Sequence, residues 1–165
     1  MRLAAAPLLF ALAVLVAPAS AQVDPSKETP RLEPADLEGV YEIVSGEKFG
    51  EAEPTERIKG STVRFTRDRV VVMDKESKEV YGATYALIPD EGAAGEAASG
   101  AKGSKIRMVS KLVEPQDQES TSEGMIERDG DKVRLIYALP DAEAPREFKT
   151  KAGQLMFVLQ RKAAD

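Results

Sequence analysis

From Gly39 onward, polar and apolar residues alternate with a period of two along much of the chain, the spacing of a strand with one buried face. In Gly39-Val40-Tyr41-Glu42-Ile43-Val44-Ser45, Tyr41 and Ile43 share a face, which makes this the first strand. Pro34-Ala35-Asp36-Leu37 just before it predicts one helical turn, with Leu37 as the plug at one end of the fold. Thr62-Val63-Arg64-Phe65-Thr66 alternates cleanly and is separated by Arg67-Asp68 from Arg69-Val70-Val71-Val72-Met73. If those two residues are the hairpin loop, Phe65 faces Val70 and Val63 faces Val72. A turn at Glu76-Ser77 sets Tyr81 opposite Val72, and so puts Tyr81, Ala83, Tyr85 and Leu87 inside. The two hairpins agree about which face is buried. Ser104 to Val113 is a further strand, with Ile106, Met108 and Leu112 on one face and Ser110 as a polar interruption. Asp129-Gly130 is a strong turn signal between Thr121–Arg128 and Lys132–Leu139. It pairs Ile126 with Val133 and Gly124 with Leu135, leaving Val133, Leu135 and Tyr137 inside. The unbroken apolar run Leu155 to Leu159 closes the pattern with a strand over Leu155–Gln160, expected to be buried on both faces under the N-terminal arm or a helix.

Other segments break this pattern. Pro54 at a first helical position, Glu56 early, Arg57 and Lys59 late and Gly60 after them predict a short capping helix held by Ile58. Gln22 to Pro34, with three prolines and no periodicity, reads as a solvated linker. Glu91 to Gly103 is a Gly/Ala loop with too little apolar bulk to offset the entropy of ordering it. From Gly92 to Gly103 a neutral insertion is expected rather than a functional flap. Pro140 to Gly153 is a long connection anchored by Phe148. Eight short strands joined neighbour to neighbour predict an all-β, eight-stranded up-and-down barrel with a short capping helix, because closure removes unpaired edges. A two-sheet sandwich is the alternative, and the small Ala83 and Gly124 on the inner side favour space within the barrel.

Composition adds a compartment. Arg2, an apolar stretch to Ala17 and the small-residue ending Pro18-Ala19-Ser20-Ala21 form a secretory signal over residues 1–21, followed by the linker 22–35 and a barrel over 36–162. The apolar run is shorter than the roughly 20 residues of a spanning helix and carries Pro7, so cleavage is expected rather than an anchor. The chain is therefore expected to be periplasmic or secreted, with no membrane span after cleavage. It has no cysteine, which excludes a lipid-anchored leader and thiol redox chemistry. Its 28 acidic and 23 basic side chains give a net charge of −5 without a basic stripe, against a nucleic-acid partner.

The chemistry is narrowed further by what the chain lacks. It has no histidine, so the commonest acid–base and zinc-ligand groups are missing along with the thiols. No phosphate-binding loop, dinucleotide fingerprint or nucleophile elbow occurs. Glu114, Asp117 and Glu119 crowd one loop and Asp129 and Asp131 flank a glycine, but neither set has calcium-loop spacing, so solvated turns are expected. An enzyme is not expected, nor a metal or cofactor. The inward set Phe65, Tyr81, Tyr85, Met108, Leu135 and Tyr137 outlines an aromatic-lined pocket for a small hydrophobic or amphipathic ligand. A barrel of eight strands is equally able to fill itself with these side chains. That filled barrel, a structural or protein-interaction module, is the competing reading.

Asp36-Leu37-Glu38-Gly39-Val40-Tyr41-Glu42-Ile43-Val44-Ser45-Gly46-Glu47 resembles the opening strand of a lipocalin-like domain family found mainly in planctomycete bacteria, usually exported and of unknown function. Ile58-Lys59-Gly60, Gly82-Ala83-Thr84-Tyr85, Asp129-Gly130-Asp131, Tyr137-Ala138, Pro145 to Lys151 and Phe157 to Arg161 are similar to its later segments. Lipocalin-like barrels usually place a tryptophan two residues after the glycine of the first strand, stacked on an arginine from the last strand. Here Gly39-Val40-Tyr41 departs from that pattern. The resemblance implies barrel closure by Leu37, Gly39, Tyr41 and Arg161, with a Tyr41–Arg161 contact worth about 0.5–2 kcal/mol.

Overall fold

A computed structural model of the chain describes residues 31–88, 102–111 and 119–163. Among these are two single-turn helices, α1 (Pro34–Leu37) and α2 (Thr55–Ile58). The strands are β1 (Gly39–Lys48), β2 (Glu51–Ala52), β3 (Thr62–Phe65), β4 (Arg69–Met73), β5 (Glu79–Ile88), β6 (Lys102–Lys111), β7 (Glu119–Asp129), β8 (Lys132–Ala138) and β9 (Gln154–Arg161). Each pairs antiparallel with its neighbour in the order β2-β1-β3-β4-β5-β6-β7-β8-β9, and β1 also pairs with β9. The two-residue β2 only extends β1 as a hairpin, so eight strands make a closed up-and-down barrel. The sandwich alternative is excluded.

The register follows the apolar alternation. Phe65 stands opposite Val70, Val63 opposite Val72 and Val72 opposite Tyr81. All of these side chains belong to, or pack against, the core. Two bulges bend the wall without turning the core face outward. One skips Val44 between Ile43 and Ser45, so that Tyr41, Ile43 and then Gly46 face Arg161, Leu159 and Phe157 of β9. The other leaves Val80 out of the β4–β5 ladder and exposed.

Several expectations need correction. The β7–β8 hairpin pairs Ile126 with Leu135, Gly124 with Tyr137 and Asp129 with Lys132, two residues away from the expected register. Gly130 and Asp131 are the central pair, and Gly130 takes φ +57° at the first of them, where a two-residue hairpin loop calls for glycine. A slip of two keeps every side chain on its face, so Val133 and Leu135 are buried in the core as expected and Tyr137 packs against it. Lys102 and Gly103 are not loop: they pair with Arg128 and Glu127 as the start of β6. The Gly/Ala tract before them lies outside the described residues. The linker stops earlier than expected, because Arg31 bridges Gly103 and Leu32 is buried in the core. Pro54 is the N-cap of α2 rather than its first residue. β1 runs three residues past Ser45.

The outer face of β8 and β9 is covered by the connection after β8, not by the arm or a helix. Leu139 donates its N–H to the Gly153 carbonyl (2.8 Å), and Gln154 Nε2 donates to the Glu143 carbonyl (2.8 Å). The Thr150 hydroxyl donates to Glu47 and accepts from the Gly50 N–H (2.8 Å), which ties the strap to β1. Beneath it the Arg134 guanidinium lies 4.4 Å from the Phe148 ring centroid and donates twice to Glu127 Oε1 (2.8 and 2.6 Å). Glu127 and Ile136 are buried on this outer side. The cation–π contact and ion pair let a carboxylate sit there desolvated.

Candidate functional site

The barrel interior has two halves of different character, and the end beside α1 is the filled one. Leu37, Tyr41, Val133 and Leu159 are each 0 % exposed. The Tyr41 hydroxyl donates to the Leu37 carbonyl (2.8 Å) and accepts from Arg161 Nη2 (2.8 Å), while Arg161 Cζ lies 5.2 Å from the Tyr41 ring centroid. The implied contact therefore exists, as a hydrogen bond as well as a cation–π pair. Arg161 Nη2 also donates to the Asp36 carbonyl (3.1 Å), and Arg128 Nη1 donates to that same oxygen. Gly39 is needed here because its φ is +147° and a Cβ would stand 3.1 Å from Arg161 Nη1. The Asp36 carboxylate accepts from the Glu33 N–H (2.9 Å) and pairs with Lys102 Nζ (3.0 Å). The backbone hydrogen bond first, then Lys102, holds its carboxyl below the usual range against the opposing effect of burial.

An aromatic ladder rises from this latch. Tyr41 meets Phe65 edge-on at 5.8 Å between centroids, and Phe65 meets Tyr85 edge-on at 5.7 Å. The Tyr85 hydroxyl donates to the Thr66 carbonyl (2.8 Å). Burial, helped by the nearby Glu38 and Asp68, pushes this phenol up to about 12. Phe65, Tyr85, Met108 and Leu135, four of the six residues expected to line a pocket, are all buried within the core.

The other two, Tyr81 and Tyr137, lie toward the far end, packed against the core but partly exposed. Tyr137 is tilted over Phe157 at 6.4 Å between centroids. Burial raises the pKa of both phenols. A hydrogen bond with Ser110 partly offsets this for Tyr81, and the charge of Tyr81 adds to it for Tyr137. Facing inward beside them are Ser120 and Ser122 of β7, which pair with Ser110 and Met108 of β6. Ser120 is 9 % and Ser122 8 % exposed. These serines are a part of the wall that apolar periodicity passes over. The signal is the alternation Ser120, Ser122, Gly124 leading into Ile126, which marks polar inward positions on a strand otherwise read from its greasy ones.

Gly124 does not supply the space expected of it. A Cβ there would fall 2.1 Å from the Ile136 carbonyl oxygen and 2.8 Å from Tyr137 Cβ, so β8 already occupies the place. Asp129 ends β7 and Asp131 is the second residue of the hairpin turn, while Glu114 and Asp117 lie outside the described residues. Among the described residues no group of three or more Asp, Glu, His or Cys is placed to hold a metal ion, and no helix is long and apolar enough to cross a membrane.

The class defined by these features is a small lipocalin-like antiparallel barrel of eight strands, latched beside its N-terminal turn and hydroxyl-lined toward the other end. No protein-family model, no curated protein and no solved structure matches the chain.

Proposed function

We propose that this protein is an exported, non-catalytic barrel that takes up a small hydrophobic or amphipathic molecule in the half of its interior away from α1. The observation that carries this reading is the inner wall of that half, where Ser120 and Ser122 stand beside Tyr81 and Tyr137, two rings that the core covers only in part. Apolar rings interleaved with hydroxyls suit a molecule with an apolar body and a few polar atoms. Export is supported by the charged, apolar and small-residue sections of the first 21 residues. The non-catalytic part is supported by a sequence without histidine or cysteine, and the net charge of −5 argues against nucleic acid as the partner. Kinship with the exported lipocalin-like family rests on the opening segment from Asp36 to Glu47 and on the closing one ending at Arg161.

A second reading, a structural or protein-interaction module, is favoured by the complete burial of Leu37, Val133 and Leu159 in the α1 half. Native mass spectrometry of the chain purified from its own host separates the two. Ligand uptake predicts a mass increment from a co-purifying small molecule that is lost on denaturation. Repeated recovery of the bare chain supports the module.

A further inference from the structure

The two edges of β7 are not paired to the same extent. On one edge β6 accompanies it from Glu119 to Arg128, but on the other β8 reaches only as far as Gly124, opposite Tyr137. There β8 turns away, with the Leu139 N–H bonded to the Gly153 carbonyl, and among the described residues no strand stands opposite Glu119 to Glu123 on that edge. Which backbone groups this leaves open follows from the ladders, because successive residues turn their N–H and C=O to opposite neighbours. The Tyr85 N–H bonds the Asp68 carbonyl beside β4, so the odd residues of β5 face β4 and its even ones face β6. Carried through the pairs Thr84–Val109 and Ser110–Ser120, this turns the even residues of β7 toward β6 and its odd ones toward β8. Asp129 and Lys132, which close the two-residue turn, agree with that assignment. The open groups therefore belong to Glu119, Thr121 and Glu123, whose side chains are exposed while Ser120 and Ser122 between them are buried.

We infer that this edge takes an extended segment of another protein as an added strand, with lysine or arginine at the two positions that face Glu119 and Glu123. The inference stands on the strand pairing and does not depend on what the bore holds. In strand addition the main-chain hydrogen bonds supply affinity and the side chains along the edge supply selectivity. An antiparallel segment centred opposite Thr121 sets its outward side chains against Glu119, Thr121 and Glu123, so the edge selects positive charge at both ends. The same rule disfavours a second copy of this chain. Glu119-Ser120-Thr121-Ser122-Glu123 reads alike in both directions, and pairing with itself about Thr121 would set Glu119 against Glu123 twice. Glu123 already pairs with Arg107 of β6 at 2.8 Å on the exposed face, so Glu119 has the larger share of the attraction. The inward positions of the added segment pass beside Ser120 and Ser122 toward Tyr137, which the core covers only in part, and this suits small apolar side chains there.

The test is amide NMR of the full chain at neutral pH and low salt, alone and with the peptide acetyl-Lys-Val-Thr-Val-Lys-amide. In the free protein the Thr121 amide should exchange at least about tenfold faster than those of Ser120 and Ser122, which β6 holds. Equal protection of the three means that the edge is already closed, and overturns the inference. The peptide should shift and protect the Glu119, Thr121 and Glu123 amides. It should bind at least about fivefold tighter than acetyl-Glu-Val-Thr-Val-Glu-amide, an advantage that shrinks in about 1 M salt. Thr121→Pro removes only an N–H that points away from β6, so the barrel should fold and the peptide should no longer bind. Glu119→Lys/Glu123→Lys, which serves if the proline variant unfolds, should reverse the preference between the two peptides. Three results overturn the inference: amides that the lysine peptide leaves unmoved, equal binding of the two peptides, and a folded Thr121→Pro variant that binds as before. Protection of Thr121 that rises with protein concentration in the absence of peptide assigns the edge to a second copy instead and overturns it as well.

Discussion

The two halves of the bore are built from the same strands but solve their polar groups differently. Beside α1, each hydroxyl described has a protein partner: Tyr41 bridges Leu37 and Arg161, and Tyr85 reaches the Thr66 carbonyl. At the far end Ser120 and Ser122 face the bore, and Tyr81 and Tyr137 are only partly covered. Buried polar groups that are satisfied rigidify a core, although Arg161 Nε in the latch is buried without a partner among the described residues. On the reading proposed above, one end supplies stability and the other recognition.

Substitutions can break or sharpen this contrast. The largest effect is expected for Tyr41→Ala, which removes a fully buried ring together with both of its hydrogen bonds and should cost about 3 kcal/mol or more in urea denaturation. A loss below about 0.5 kcal/mol would mean that the latch does not close the barrel. Gly124→Ala comes next, at about 2 kcal/mol, because its Cβ would collide with the Ile136 carbonyl at 2.1 Å. Stabilisation by this change, as strand propensity alone would suggest, contradicts the close approach of β8. Tyr85→Phe should cost about 1 kcal/mol by orphaning the Thr66 carbonyl, while Ser122→Ala should change stability by less than about 0.5 kcal/mol. Equal losses from these two would erase the distinction between the halves.

The pH effects are smaller and separate by direction. The Tyr85 phenol is raised from 10.0 to about 12, so the folded state favours its protonated form. Its contribution is full below pH 10 and is lost as pH rises through about 12, a decline that Tyr85→Phe should flatten in alkaline denaturation curves. Asp36 behaves oppositely. Its pKa is lowered below 3.8, so its contribution is present above that pH and disappears on further acidification, and Asp36→Asn should remove this acid-side slope.

How much of this was legible in the sequence varied with the physics involved. The β3–β4–β5 register could be read because alternating apolar residues in two adjacent hairpins had to agree on one buried face. The β7–β8 turn was misplaced by two because glycine fits more than one position of a two-residue loop, and the face pattern is blind to an even slip. Lys102 and Gly103 read as loop because their composition is poor in strand formers, yet the neighbouring β7 supplies the pairing that composition lacks. The Tyr41–Arg161 contact came from a family resemblance rather than from periodicity. Arg128, which meets the same carbonyl, was not foreseen, since an inward arginine at a strand end breaks the alternation. The serine positions were hidden for the same reason: a strand read by its apolar residues conceals the polar ones on its inner face.

The division of the bore is tested most directly by two-dimensional NMR of the full chain titrated with 1-octanol. The account predicts intermolecular contacts and shift changes at Tyr81, Tyr137, Ser120 and Ser122, with Phe65, Val133 and Leu159 unmoved. Contacts concentrated at Phe65, Val133 and Leu159, or confined to the outer surface, would contradict it.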